Sequence, residues 1–161
     1  MAKKCCIAAQ AVALPLKTEV QKYLESQGYE VTDLVPAEEQ PTISFTGVAE
    51  YVGRAIQSGA YEKGFVFCGT GMGVSMVVNK YKGVRAALVE SPYAARMSRI
   101  INDANVLCMG QWMFTPHMAC ETVKEFITHS LLDDEDPENP NETRVKRLKD
   151  GIAFVNSIGE E

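Results

Sequence analysis

"GFVFCGTGMGVSMVVNK" spans Gly64–Lys80. An apolar run, Phe65–Phe67, leads into Cys68. Gly69, Gly71 and Gly73 follow, and small and apolar residues come next. The order is strand, glycine turn, helix. Glycines there let the backbone turn sharply and expose its N–H groups. The helix behind them adds the positive end of its dipole, which favours an anion.

The same alternation runs along the chain. Cys5–Ala9, Val31–Val35, Phe65–Phe67, Val84–Val89 and Val106–Met109 read as strands. Helical spacing falls between and after them: Leu14–Gln27, with Leu16, Val20, Tyr23 and Leu24 on one stripe, then Phe45–Ile56, Val74–Asn79 opened by Gly73, Pro92–Ile101, Pro116–Ser130 and Thr143–Ser157. "DDEDPENPNE" marks an acidic, proline-broken linker over 131–142. The pattern predicts an α/β three-layer sandwich with a five-stranded parallel sheet, Rossmann/flavodoxin-like, plus a C-terminal helix, in one domain over 1–161. Such sheets bind ligands beyond the strand ends where strand order reverses. In the flavodoxin-like order that crevice lies between strands one and three, which here end at Gln10 and Cys68.

The 161 residues carry 16 Lys+Arg and 21 Asp+Glu, a net charge of −5, which offers no surface for nucleic acid or an anionic membrane. The cysteines, Cys5, Cys6, Cys68, Cys108 and Cys120, form no CxxC pair, and only His117 and His129 could assist them, so no metal site is expected. Cysteine usage of this kind fits a reducing, cytoplasmic setting, with four of the five serving as small buried hydrophobes. The start, "MAKKCCIAAQAVALPLK", imitates a signal peptide, but Gln10 and Pro15 interrupt its apolar run. No transmembrane segment is expected.

The loop is not a phosphate-binding Walker loop, because no GK[ST] follows, and GxGxxG fails at Ser75–Met76. One explanation is a tight strand-to-helix turn and nothing more. Cys68 favours the other. Thiols beside a helix N-terminus ionise more readily, and a thiolate can attack a carbon or remove a proton. No histidine lies nearby in sequence. Proton abstraction needs only the base and donors for the resulting oxyanion, which loop amides can supply.

The segment from Gly64 to Gly110, with CGTG-x-G at Cys68–Gly73, "NKYKGVRAAL" at Asn79–Leu88, "ARMSR" at Ala95–Arg99 and "NDANVL" at Asn102–Leu107, resembles the family of ribose-5-phosphate isomerase B and the galactose-6-phosphate isomerase subunits. The likeness is looser over 7–34 and weak after Ile127. The resemblance implies an aldose–ketose isomerase of a phosphorylated sugar, working through a cis-enediolate without metal or organic cofactor. It implies Cys68 as the base and Thr70 as a contact to the sugar. It further implies Gly69, Gly71 and Gly73 as oxyanion donors, Asn102 beside the reacting carbons, and a dimer or larger assembly whose sites share residues of two subunits.

The chain also departs from the family's pattern. Gln10–Ala11 stand for Asp-His after the first strand, and Gln10 is kept as a substrate-side candidate. Ile101 stands where ribose-type members have a ring-opening histidine. Of two phosphate-binding arginines only Arg144 is matched, the other falling on Pro140, and a further basic position falls on Trp112. Three functions remain open. One is a homodimeric or homotetrameric isomerase of a phosphorylated sugar, either one that stays open-chain, such as an aldotetrose 4-phosphate, or a conventional pentose or hexose phosphate. The second is one subunit of a hetero-oligomeric galactose-6-phosphate-type isomerase, completed by a sister chain. The third is a non-catalytic sugar-phosphate binder.

Overall fold

A computed structural model describes residues 3–158; positions 1–2 and 159–161, the two ends of the expected domain, lie outside the described residues. Five strands form, β1 (Lys3–Ala9), β2 (Tyr29–Asp33), β3 (Lys63–Cys68), β4 (Ala86–Leu88) and β5 (Val106–Gly110). The helices are α1 (Leu14–Ser26), α2 (Phe45–Gln57), α3 (Met72–Val78), α4 (Pro92–Asn102), α5 (Pro116–Thr128) and α6 (Glu142–Ser157). Every strand pairing is parallel, and the order is β2-β1-β3-β5-β4. The flavodoxin-like half, β2-β1-β3, stands as expected, while β5 rather than β4 lies beside β3. Burial explains the exchange. All five residues of "VLCMG" are buried, as an interior strand requires, whereas the three of β4 are only partly covered and suit an edge.

Alternate residues divide between two cores. Cys5, Ile7, Ala9, Phe65, Phe67, Leu107 and Met109 pack with α1, α4 and α5. Cys6, Ala8, Val66, Cys68, Val106 and Cys108 face α2 and α3. Phe65 and Phe67 are fully buried, each stabilising the fold by about 1.5–3 kcal/mol, and they anchor the strand that ends in Cys68.

Several boundaries differ from the sequence expectation for local reasons. β2 ends at Asp33, not Val35, because the Val35 N–H turns back to Asp33 Oδ1 at 3.2 Å. β4 begins at Ala86, not Val84, because the Arg85 N–H is taken by Asn105 Oδ1 at 2.8 Å. α5 stops at Thr128, since His129 is extended and its carbonyl accepts from Arg99 Nε at 3.2 Å. Ser44, Ser91 and Thr115 cap α2, α4 and α5 by accepting N–H bonds from Gly47, Ala94 and Met118. α3 opens differently. Its cap is Gly71, left-handed at φ +80°, so the helix starts at Met72 and not at Gly73.

Candidate active site

Cys68 closes β3 next to β1, where the strand order reverses, with its side chain on the α2–α3 face and only 5% of the residue exposed. The Gly71 N–H donates to Cys68 Sγ at 3.1 Å. That bond fixes the sulfur at the lip of the loop. It also engages one of the three glycine amides expected to serve an oxyanion. The Thr70 hydroxyl accepts from the Met72 N–H at 3.3 Å, so it steadies the first turn of α3. On the β1 side, the Gln10 N–H donates to the Phe67 carbonyl at 2.9 Å, which places Gln10 directly beside the end of β3. From the other side the turn after β5 clasps the loop. The Gln111 N–H donates to the Cys68 carbonyl at 2.9 Å, and the Trp112 N–H to the Gly69 carbonyl at 3.0 Å.

The glycine spacing has a packing cause. A Cβ on Gly69 would stand 2.8 Å from Trp112 Cη2, one on Gly71 2.7 Å from Leu88 Cδ1, and one on Gly73 2.8 Å from Phe45 Cδ2. Side chains from three different elements therefore press on successive glycines, and the loop is held rigid between them. Gly110 completes the clamp, because a Cβ there would meet the Thr70 main chain at 2.5 Å.

The other thiols are set apart. Burial pushes Cys5 and Cys6 up to about 12, and it pushes Cys108, fully enclosed, higher still. Cys120 is raised as well, by burial first and then by Glu19 and Glu121. Among the described residues no group of three or more His, Cys, Asp or Glu side chains is arranged to hold a metal.

Two expected site residues lie elsewhere. Asn102 ends α4, close to the start of β5, and the neighbouring Asn105 carbonyl accepts from the Gly64 N–H at the entry of β3. Cys68 pairs with Gly110 at the far end of β5. The four steps from Val106 to Gly110 separate the two ends by about 13 Å. Arg144 is not directed to Cys68 either. Its guanidinium is bound by Glu135 and, at 3.0 Å, by both carboxylate oxygens of Asp134, so it straps the acidic linker to α6.

Asn102 instead lines a cavity of about 450 Å³ between β4, the end of α4 and α6. Ile101, Asn79 and Arg147 line it too. No ion pair or hydrogen bond to the Arg147 side chain is seen among the described residues. Arg147 lies one helical turn beyond Arg144 in "RVKR" and has no sequence signal that separates it from its neighbour. Phe45 and Leu88 are announced in the sequence by nothing but the glycine spacing they require.

The profile of the Ribose/Galactose Isomerase family matches residues 5–148. A 4-deoxy-4-sulfo-D-erythrose isomerase of Clostridium sp. strain MSTE9 is 39% identical over 157 residues, covering 98% of this chain and 96% of the relative. A D-erythrulose-4-phosphate isomerase of Pectobacterium atrosepticum is 35% identical over 123 residues, or 75% of this chain and 80% of the relative. Among solved structures, ribose-5-phosphate isomerase B of Mycoplasma genitalium with bound ribulose-5-phosphate superposes with a TM-score of 0.80 at 28% identity, covering 96% of this chain and 97% of that one.

Proposed function

Because the chain belongs to the ribose/galactose isomerase family and is an aldose–ketose isomerase, we propose that it isomerises an open-chain four-carbon aldose carrying an anionic group, phosphate or sulfonate, on C4. The observation that carries the chemistry is the Cys68 sulfur, held at 3.1 Å by the Gly71 N–H on the rim of a rigid glycine loop. The Cys68 thiolate removes the proton from C2. The C2–H electron pair becomes the C1=C2 bond of a cis-enediolate, and the former carbonyl oxygen takes the negative charge. The amides of Gly69 and Gly73 stabilise that oxygen, with Gln10 and the Thr70 hydroxyl bordering the substrate. Return of the proton to C1, with transfer of the hydroxyl proton from O2 to O1, gives the ketose. A positioned general base of this kind is worth about 10²–10⁴ in rate.

The site is completed by a second copy of the chain. Asn102, Ile101 and Arg147 share one cavity at the end of the sheet away from Cys68, so one copy offers the cysteine loop and the other this cavity. Both halves are present in this sequence, and a homodimer suffices without a sister chain. Arg147, free of the pairing that occupies Arg144, holds the terminal anion. The enzyme works in the cytoplasm, a setting supported by five unpaired cysteines.

The four-carbon substrate is supported by Ile101. An apolar side chain cannot protonate a ring oxygen. An aldotetrose with its C4 position occupied by an anionic group cannot close a furanose ring and needs no such help. The names of the Clostridium and Pectobacterium relatives agree with a four-carbon chain. The test is kcat/KM on D-erythrose 4-phosphate, ribose 5-phosphate and galactose 6-phosphate, for wild type and Ile101→His. The tetrose should be preferred, and the variant should gain more on the cyclic sugars. A wild type that prefers a cyclic pentose or hexose phosphate overturns the assignment.

A further inference from the structure

Trp112 is 70% exposed, yet its position is fixed. Its main-chain N–H holds the Gly69 carbonyl at 3.0 Å. Its ring atoms Cη2, Cζ3 and Cζ2 lie 2.8, 2.9 and 3.0 Å from where a Cβ on Gly69 would stand. Those three atoms form the benzo edge of the indole. The pyrrole edge, which carries the Nε1–H donor, is on the opposite side and turns away from the loop. A large aromatic surface left open beside Cys68 thus offers an apolar wall and, one ring further out, a neutral hydrogen-bond donor.

The charges near the site narrow what that donor would meet. Lys17, in the first turns of α1, is buried and paired with Asp33. Arg144 is neutralised by Asp134 and Glu135. The cavity shared with Asn102 contributes Arg147. Of the two guanidiniums lining that cavity, Arg85 is paired with Asp103 and Arg147 is uncommitted, so a terminal anion held there meets one guanidinium besides the neutral N–H. A phosphate monoester carries a charge of about −1.5 to −2 near pH 7, more than one guanidinium matches once water is removed. A sulfonate is a single negative charge with three acceptor oxygens.

We propose that Trp112 determines the terminal anion: its indole walls the carbon chain against Gly69 and its ring N–H donates to a singly charged group, so that a C4-sulfonate is preferred to a C4-phosphate. The inference rests on the tetrose reading above. It is tested by kcat/KM on 4-deoxy-4-sulfo-D-erythrose and D-erythrose 4-phosphate, for wild type, Trp112→Phe and Trp112→Arg, with ribose 5-phosphate as the control substrate. Wild type should favour the sulfonate about tenfold or more. Trp112→Phe keeps the aromatic wall and loses the donor, so its sulfonate kcat/KM should drop by about tenfold. Trp112→Arg should reverse the preference towards the phosphate. A wild type that prefers D-erythrose 4-phosphate, or a sulfonate preference that both variants leave unchanged, overturns the role of Trp112 while the tetrose reading stands. Turnover of ribose 5-phosphate with neither tetrose accepted overturns that reading, and this inference with it.

Discussion

Replacing Gly71 by alanine tests the loop where its demands converge. The residue sits at φ +80°, a conformation that costs an L-residue about 1–2 kcal/mol. The added Cβ would stand 2.7 Å from Leu88 Cδ1 and 2.9 Å from the Met109 carbonyl carbon. Leu88 can swing away; the backbone of β5 cannot, and overpacking of this kind costs about 1–3 kcal/mol more. The sum, about 2–5 kcal/mol, lowers Tm by about 4–20 °C for a chain of this size. Relief of the clash must also shift the Gly71 N–H, now 3.1 Å from Cys68 Sγ. Loss of this hydrogen bond to the proposed base should reduce kcat by about tenfold. Gly59→Ala supplies the control, because Gly59 has φ +76° but nothing within 4 Å of a new Cβ. It should lose about 1–2 kcal/mol and keep its kcat. Thermal denaturation and initial rates on the same preparations decide the matter. A Gly71→Ala protein no less stable and no slower than Gly59→Ala would refute the account of a clamped loop.

Arg147→Gln should raise KM by about tenfold or more with little change in kcat, whereas Arg144→Gln should leave KM within about twofold, since its guanidinium is committed to Asp134 and Glu135 of the acidic linker; steady-state kinetics separate the two. Iodoacetamide at pH 8 should modify Cys68 in step with loss of activity, and leave Cys5, Cys6 and Cys108, which are fully buried, unlabelled by mass spectrometry. The pH dependence of stability follows from the same thiols. The folded chain keeps the Cys5 and Cys6 protons up to about pH 12, while the unfolded chain releases them near the ordinary value of 9.0. The stability they contribute is complete below pH 9.0 and is lost as pH rises towards 12, by about 1.4 kcal/mol per pH unit for each thiol. Urea titrations across that range should show the decline, and a Cys5→Ala/Cys6→Ala variant should flatten it.

The fold was legible because its signals are local. Apolar runs such as Phe65–Phe67 and Val106–Met109 alternate with helical stripes, and serine or threonine marks three of the helix starts. What sequence could not supply was the spatial order of β4 and β5, which depends on the burial of whole strands. The cysteine end of the site was legible for the same local reason, since strand, thiol and glycine turn are contiguous. The other half of the proposed site depends on tertiary placement. Nothing in "NDAN" tells that Asn102 sits a strand's length from Cys68. Nothing in "RVKR" tells which arginine the acidic linker will neutralise. Trp112 shows the limit most clearly. By position it was a missing cation, and its packing on Gly69 is a tertiary contact that no local pattern announces.

In the proposed mechanism Cys68 moves a proton between C1 and C2 of an open-chain sugar. Proton NMR of the reaction in deuterated water measures this directly, with the C4-anionic aldotetroses as substrates and wild type and Cys68→Ala as catalysts. The wild type should deliver ketose carrying deuterium at C1 and return recovered aldose exchanged at C2. Cys68→Ala, folded by circular dichroism, should do neither, at a rate lower by at least about 10²–10⁴. Exchange at C2 that persists in Cys68→Ala would contradict the account and assign the base to another residue.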